Sequence, residues 1–121
     1  MIGFPSAKSY YLYGEPTDMR KSFNGLGGIV INEMGKDLLN GDGFIFINKR
    51  RTLVKILVWD RTGFVIYYKK LSSGTIELPE FNTAQIQKEI ELPTLMMMLE
   101  GVEVRSVKMR KRLVYPNKRR A

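Results

Sequence analysis

The chain has 121 residues, a formal net charge of +8 at pH 7, and neither cysteine nor histidine. It therefore lacks disulfides, a thiol nucleophile, and the commonest metal ligand and general base. No apolar run approaches the ~20 residues that span a bilayer, so we expect a soluble cytoplasmic protein that does not associate with a membrane.

The excess positive charge is concentrated at the C-terminal end. Residues 1–103 carry 12 basic and 12 acidic side chains, whereas residues 104–121 carry eight basic side chains and no acidic one. Within the neutral part, residues 44–70 have a net charge of +6 and residues 71–103 have −5. We therefore expect one domain at residues 1–104 and a basic tail at residues 105–121.

The first predicted elements are a strand at Tyr10–Tyr13 and a helix that begins at Thr17 or Asp18 and ends near Met34. The glycines of the segment NGLGG weaken this helix, so its stability must come from packing. The predicted first turn contains Arg20 and Lys21, although a helix dipole disfavours cations there by ~0.3–1 kcal/mol. This apparent conflict requires an explanation.

Three β-rich runs follow, FIFINKRR, TLVKILVWD and FVIYYKKL, separated by the turn segments NKRR and DRTG. They predict an antiparallel meander of three strands. Because both faces of the second run are largely apolar, the preceding helix is expected to pack on one of them.

In the remaining part, we predict a short strand at residues 75–78 and a short helix in PTLMMMLEG, with Pro93 in its first turn and Gly101 beyond its end. Residues 96–98, all methionine, are interpreted as core residues rather than as a recognition surface. A last strand is predicted in VEVRSVKM. The fold class is thus α+β: an antiparallel meander packed against one main helix, with a short second helix and a basic C-terminal tail.

The turn NKRR places Lys49, Arg50 and Arg51 where side chains point outward and can meet phosphates; the alternative is a solvated turn that prevents edge-to-edge association. Lys69 and Lys70 lie on the same meander, together with aromatic residues suited to stacking on bases. Of these, the rings of Trp59 and Phe64 are predicted to belong to the core.

The tail favours nucleic acid over a membrane surface, because it has no clear helical apolar face. Its alternative role is a disordered, solubilising segment. If the tail neutralised about five phosphates, log K would fall with log salt at a slope of about −4 to −5. The tail residues predicted to bind nucleic acid are Arg105, Lys108, Arg110, Lys111 and Arg112.

Catalysis is not expected. The aspartates are scattered one per loop, no pair has metal-site spacing, and no GxxxxGK[ST] loop occurs. We therefore predict no catalytic residue, no metal and no cofactor.

Four motifs carry a family resemblance: PTDMRK at residues 16–21, WDRTGF at 59–64, YYKKL at 67–71 and LMMMLEG at 95–101. Over residues 10–104 the chain resembles the TnpB-type accessory proteins encoded by the second open reading frame of a group of bacterial insertion sequences. This family is distinct from the RNA-guided nuclease of the same name. The chain departs from the family pattern at Gly27 and Gly28, where relatives tend to have alanine, and in its basic tail.

The resemblance implies a small α+β protein that assists transposition together with a transposase and a second accessory protein, and DNA is an expected partner. It assigns no catalytic residues. Two explanations of Arg20 and Lys21 follow: they join a helix N-terminus in an anion site for a DNA phosphate, or Arg20 pairs internally with Asp18 or Asp60 and links helix to hairpin. A protein-interaction adaptor for the transposase, with little DNA affinity of its own, remains the alternative function.

Overall fold

The computed structural model describes residue 4 and residues 6–81 and 84–101 of the chain. Within these residues the elements are, in order, β1 (Tyr10–Tyr13), α1 (Phe23–Asn32), β2 (Gly43–Ile47), β3 (Leu53–Asp60), β4 (Gly63–Lys70), β5 (Gln87–Ile90) and α2 (Leu92–Leu99). The predicted strand at residues 75–78 is absent, although Ile76 is fully buried and its N–H donates to the carbonyl of Arg51 at 2.7 Å.

The five strands form one mixed sheet in the order β4-β3-β2-β1-β5. The predicted meander is confirmed, because β2, β3 and β4 pair antiparallel in sequence. β1 lies parallel to β2, and α1 is part of the connection between these two strands. β5 then pairs antiparallel with the outer side of β1. The predicted α+β class is confirmed.

Each face of the sheet has its own apolar core. Successive residues of a strand point to opposite faces, so Val54, Ile56 and Val58 of β3 pack with α2, while Leu57 packs with α1. The expectation that the first helix covers one face is confirmed. The second helix covers the other face, which explains why β2 and β3 are apolar on both sides.

Helix α1 begins later than the sequence predicts. It starts at Phe23 with Ser22 as N-cap and ends at Asn32, so the prediction of an N-cap at Thr17 or Asp18 is wrong. The backbone N–H of Thr17 donates instead to the carbonyl of Ile47 at 2.9 Å, which ties this segment to the end of β2. Residues 17–22 thus form a separate pre-helical segment, and neither Arg20 nor Lys21 lies in a helical turn.

Helix α2 agrees with the prediction, with Pro93 near its start and Gly101 at a φ of 73° after its end. Its methionines divide between core and solvent: Met98 is buried, whereas Met97 is 67% exposed. The interpretation of residues 96–98 as core is therefore wrong for Met97. The predicted last strand in VEVRSVKM and the basic tail lie outside the described residues.

Candidate nucleic-acid interface

A turn in the pre-helical segment positions Arg20. The Asp18 carboxylate accepts a hydrogen bond from the backbone N–H of Arg20 at 2.9 Å, and the N–H of Lys21 donates to the Asp18 carbonyl at 3.1 Å. Aspartate commonly stabilises turns of this kind by bonding to the backbone two residues onward. The sequence TDMRK therefore forms a turn before the helix begins.

Asn48 holds the turn between β2 and β3. Its side-chain carbonyl accepts hydrogen bonds from the backbone N–H groups of Thr52 at 2.9 Å and Leu53 at 3.0 Å, and its backbone carbonyl accepts from Arg51 at 3.0 Å. Arg51 adopts a φ of 61°, a left-handed conformation that closes the turn. Lys49 and Arg50 are exposed at its tip.

Lys55 connects the pre-helical segment to the sheet. Its ammonium donates to the carbonyls of Met19 at 2.8 Å and Lys21 at 2.7 Å, and lies 4.7 Å from the centre of the Tyr68 ring. Although it is a cation, Lys55 is only 8% exposed. The hydrogen bonds to two carbonyls and the contact with an aromatic face offset the free-energy cost of removing the ammonium from water.

Together these contacts form a groove between the pre-helical segment and the β2–β3 turn, with a volume of about 570 Å³. We call it the basic groove. The residues that line it are Pro16, Thr17, Asp18, Met19, Arg20, Asn48, Lys49, Arg50, Leu53 and Tyr68. Three of the predicted DNA-binding cations, from two separate segments of sequence, thus line one concave surface.

The charge of Arg20 is already paired. Its Nη2 lies 2.6 Å from Oδ2 of Asp18, and its Nε lies 3.0 and 3.1 Å from the two carboxylate oxygens. This hydrogen-bonded contact, reinforced by the backbone bond, lowers the pKa of Asp18 to about 2. The Arg20 side chain is 91% exposed to solvent and that of Asp18 is 45% exposed. Of the two explanations given above, internal pairing with Asp18 describes the geometry, but the pair lies within one turn and does not link helix to hairpin.

The other predicted cations are distributed around the groove and away from it. Lys70 lies opposite Leu53 in the sheet and therefore on the side of the groove. Lys69 is on the opposite face, where its ammonium donates to the carbonyl of Leu99 at 2.9 Å. The stem of Lys21 lies against Gly25 of α1. Arg51 lines a neighbouring cavity that shares Pro16, Asn48 and Lys49 with the groove. Arg105, Lys108, Arg110, Lys111 and Arg112 lie outside the described residues.

Tyr68, which lines the groove, and Lys55, which contacts the Tyr68 ring, were not among the predicted site residues. Lys55 is surrounded in sequence by the apolar residues of β3, and a cation at such a position indicates an internal partner. Tyr68 is 54% exposed, whereas Tyr67 is half-buried, with its ring centre 5.1 Å from that of Phe4. Alternation along β4 predicts opposite faces for the two rings but does not identify the exposed one. Trp59 and Phe64, predicted to be core, are half-buried and pack edge to face at 5.0 Å.

The fold and the groove define a small α+β protein with a concave, cation-lined surface. Within the described ranges, no group of three or more acidic side chains is placed to hold a metal ion, and no helix is long and apolar enough to cross a membrane.

Comparison with known proteins identifies the family. The model of the IS66 Orf2-like proteins matches residues 8–109, and the chain therefore belongs to this family, whose members are accessory proteins of insertion-sequence transposition. The match extends past residue 104 and includes Arg105 and Lys108. A curated relative, the uncharacterized protein y4jC of Sinorhizobium fredii, is 32% identical over 79 residues, which cover 65% of this chain and 68% of that protein. No solved structure matches the chain.

Proposed function

We propose that the protein is a non-catalytic DNA-binding accessory factor of transposition, acting in the cytoplasm with the element's transposase and a second accessory protein. It contacts phosphates through the basic groove, with Lys70 beside it, and through the tail at residues 105–121, which follows a single domain at residues 1–104. The observation that carries the proposal is the shared groove of Arg20, Lys49 and Arg50. Cations held on one concave surface attract a polyanion more strongly than the same cations dispersed.

The charge balance of the groove assigns different roles to its cations. Because Asp18 neutralises Arg20, the net positive charge of the lining comes from Lys49 and Arg50. Arg20 retains guanidinium donors beyond those bonded to Asp18, so it orients a phosphate more than it attracts one. Lys49 and Arg50 therefore supply most of the electrostatic attraction of the groove.

The direct test replaces Arg50 and measures the binding of fluorescently labelled duplex DNA by anisotropy at several salt concentrations. Arg50→Gln should weaken binding several-fold and reduce the salt slope by about 1, the value for one lost phosphate contact. The matched control is Arg61→Gln, since Arg61 is also exposed in a hairpin turn but lies at the opposite end of β3. Equal losses in both variants would contradict the proposal.

A second variant should strengthen binding. Asp18→Asn removes the carboxylate that neutralises Arg20 and should raise duplex affinity, with a steeper salt dependence. Asp37→Asn is the control: the Asp37 carboxylate likewise accepts a backbone N–H two residues onward, from Leu39, but it does not line the groove. Unchanged affinity in Asp18→Asn would show that the groove does not contact phosphate.

The non-catalytic part of the proposal has its own test. The purified protein, incubated with supercoiled DNA and magnesium or manganese, should leave the DNA intact. Metal-dependent nicking that persists through purification would instead require an active site.

A second candidate function, an adaptor that binds the transposase, is favoured by a different surface. A smaller groove beside α2 is lined by the apolar side chains of Leu78, Met97 and Met98 and by Glu77. Met97 and Leu78 are 67% and 39% exposed, and this surface belongs to the acidic part of the sequence. An apolar groove with an acidic edge suits a basic, amphipathic segment of the transposase.

The adaptor function predicts strong transposase binding that survives high salt, together with negligible affinity of the isolated protein for duplex ends. Met97→Lys should abolish that binding in a pull-down with purified transposase. Ile31→Lys is the matched control, because Ile31 is 55% exposed on α1, away from this groove. High DNA affinity combined with full transposase binding by Met97→Lys would reject the adaptor function.

A further inference from the structure

The exposed ring of Tyr68 distinguishes the basic groove from a simple patch of positive charge. Tyr68 is 54% exposed on β4, which pairs only with β3 among the described strands, and its ring lies in the groove that Lys49 and Arg50 line. Tyr67 packs against Phe4 and thereby contributes to the core, whereas Tyr68 lines the groove. Several other large apolar side chains are exposed, but the ring of Tyr68 lies in a groove lined by cations, which is the combination that stacks on bases and contacts phosphates.

The ring is also held in place. The Lys55 ammonium lies 4.7 Å from the ring centre and is itself fixed by the carbonyls of Met19 and Lys21. A cation–π contact of this kind favours one orientation of the ring. The groove therefore presents an aromatic ring that is already held in position. When a ligand stacks on it, the Tyr68 side chain loses little conformational entropy.

We propose that the basic groove binds single-stranded DNA, with a base stacked on Tyr68 and the adjoining phosphates contacted by Lys49 and Arg50. The inference rests on the proposed DNA-binding function and specifies the form of DNA that the groove accepts. Within a duplex, both faces of each base are covered by neighbouring base pairs and only the two end pairs expose a face, so most duplex phosphates would contact the cations and leave the ring unused. An unpaired base offers the π-face that Tyr68 can cover, in any sequence.

The test compares a labelled single-stranded oligonucleotide with a blunt duplex of the same length, using the full chain and fluorescence anisotropy. Tyr68→Ala should weaken single-strand binding at least fivefold and leave duplex binding within twofold, because stacking on an aromatic side chain is lost for the single strand alone. Tyr68→Phe keeps the ring and should bind like the wild type. Phe23→Ala, which removes a 46% exposed ring outside the groove, is the matched control.

A spectroscopic measurement covers the case in which Tyr68→Ala disturbs the fold. In Tyr68→Trp, single-stranded DNA should quench the additional tryptophan emission, relative to the wild type with Trp59 alone, and duplex should not. The outcomes separate the proposed DNA-binding function from the inference of base stacking on Tyr68. If the wild type binds neither form of DNA, the proposed function is rejected. Duplex binding without single-strand preference, together with no effect of Tyr68→Ala, overturns the stacking inference alone, as does equal quenching by both DNA forms.

Discussion

At the scale of single residues, Lys55 carries the most consequential contacts. Its ammonium occupies a nearly buried position between two carbonyls of the pre-helical segment and the Tyr68 ring. Hydrogen bonds to a charged group contribute ~1.5–3 kcal/mol each, but solvent can reach the two carbonyls again if the segment moves. The stability of the groove and the position of Arg20 thus depend on one lysine.

We expect Lys55→Met, which keeps the length of the stem and removes the ammonium, to lower the free energy of unfolding by about 2–3 kcal/mol. Chemical denaturation monitored by circular dichroism measures this change. Lys36→Met is the control, because the Lys36 ammonium lies 3.9 Å from the centre of the Tyr11 ring, and its loss should cost about 1 kcal/mol or less. A larger loss in Lys36→Met than in Lys55→Met would contradict this account.

A second prediction at this scale concerns Asp18. Its pKa is lowered to about 2, first by the side-chain hydrogen bond from Arg20, then by the backbone bond from the same residue. Because the pKa is lower in the folded state, the ionised Asp18 carboxylate stabilises the fold. This contribution is complete above about pH 4, the pKa of the unfolded chain, and is lost as the pH falls toward 2.

NMR titration of the Asp18 carboxyl should give a midpoint near 2 in the wild type. The midpoint should rise in Arg20→Gln, but not fully to its ordinary value, because the backbone N–H still donates. Lys21→Gln should raise the midpoint less, since Lys21 acts only through its charge and has the smallest effect on the pKa of Asp18. If Lys21→Gln had the larger effect, the hydrogen-bonded pair would not be the cause.

At the scale of elements, the sequence predicted β1 to β4, missed β5, predicted a strand at residues 75–78 that is absent, and misplaced the start of α1. Runs rich in β-branched and aromatic residues, separated by turn segments, predicted β2, β3 and β4, and these strands pair with their neighbours in sequence through local turns. The start of α1 was misjudged because Thr17 and Asp18 suit both an N-cap and a turn, and the choice depends on Ile47, 30 residues away in sequence. Likewise, no local pattern indicates that β1 lies parallel to β2.

Gly43 of β2 lies opposite Tyr10 of β1, so close that we expect any larger residue there to destabilise the protein. A Cβ atom at Gly43 would lie 2.7 Å from Cδ1 of Tyr10 and 3.3 Å from Cβ of Ala7. Because Tyr10 is 5% exposed and packed in the core, its ring cannot move aside freely. Gly43→Ala should therefore destabilise the protein by ~1–3 kcal/mol, as measured by thermal or chemical denaturation.

The matched control is Gly63→Ala at the first residue of β4. A Cβ atom there would meet nothing within 4 Å, so this substitution should be neutral or should stabilise the protein by up to ~1 kcal/mol through the unfolded state. Similar losses in both variants would indicate a general effect of replacing glycine, and the close approach of Tyr10 would then not be the reason.

At the scale of the whole molecule, the candidate site was only partly predictable. The composition of residues 44–70 identified Lys49 and Arg50, since an exposed hairpin tip is a local feature. The sequence could not show that Lys69 binds the carbonyl of Leu99 on the opposite face, because that contact depends on the position of α2. The sequence likewise could not show where Arg20 lies. Its charge is balanced by Asp18 within its own turn, and its placement in the groove depends on Lys55, which is distant in sequence.

The last prediction concerns how the groove and the tail share the binding of DNA. Eight cations follow residue 103, and replacing all eight by glutamine in the full-length chain removes their charge without shortening it. If the tail neutralises about five phosphates, this variant should bind single-stranded and duplex DNA more weakly. The salt slope for duplex should become about 4–5 smaller in magnitude.

Arg50→Gln should remove a further slope of about 1 in either background, because distant, independent sites act additively. If a base stacks on Tyr68 as proposed, the preference for single-stranded DNA should persist in the tail variant, since Tyr68 lies in the groove. The thermal midpoint should stay close to that of the wild type if residues 1–104 fold as one domain. A full salt slope without the tail charges would assign the tail a solubilising role, and a lost strand preference would place base stacking outside the groove.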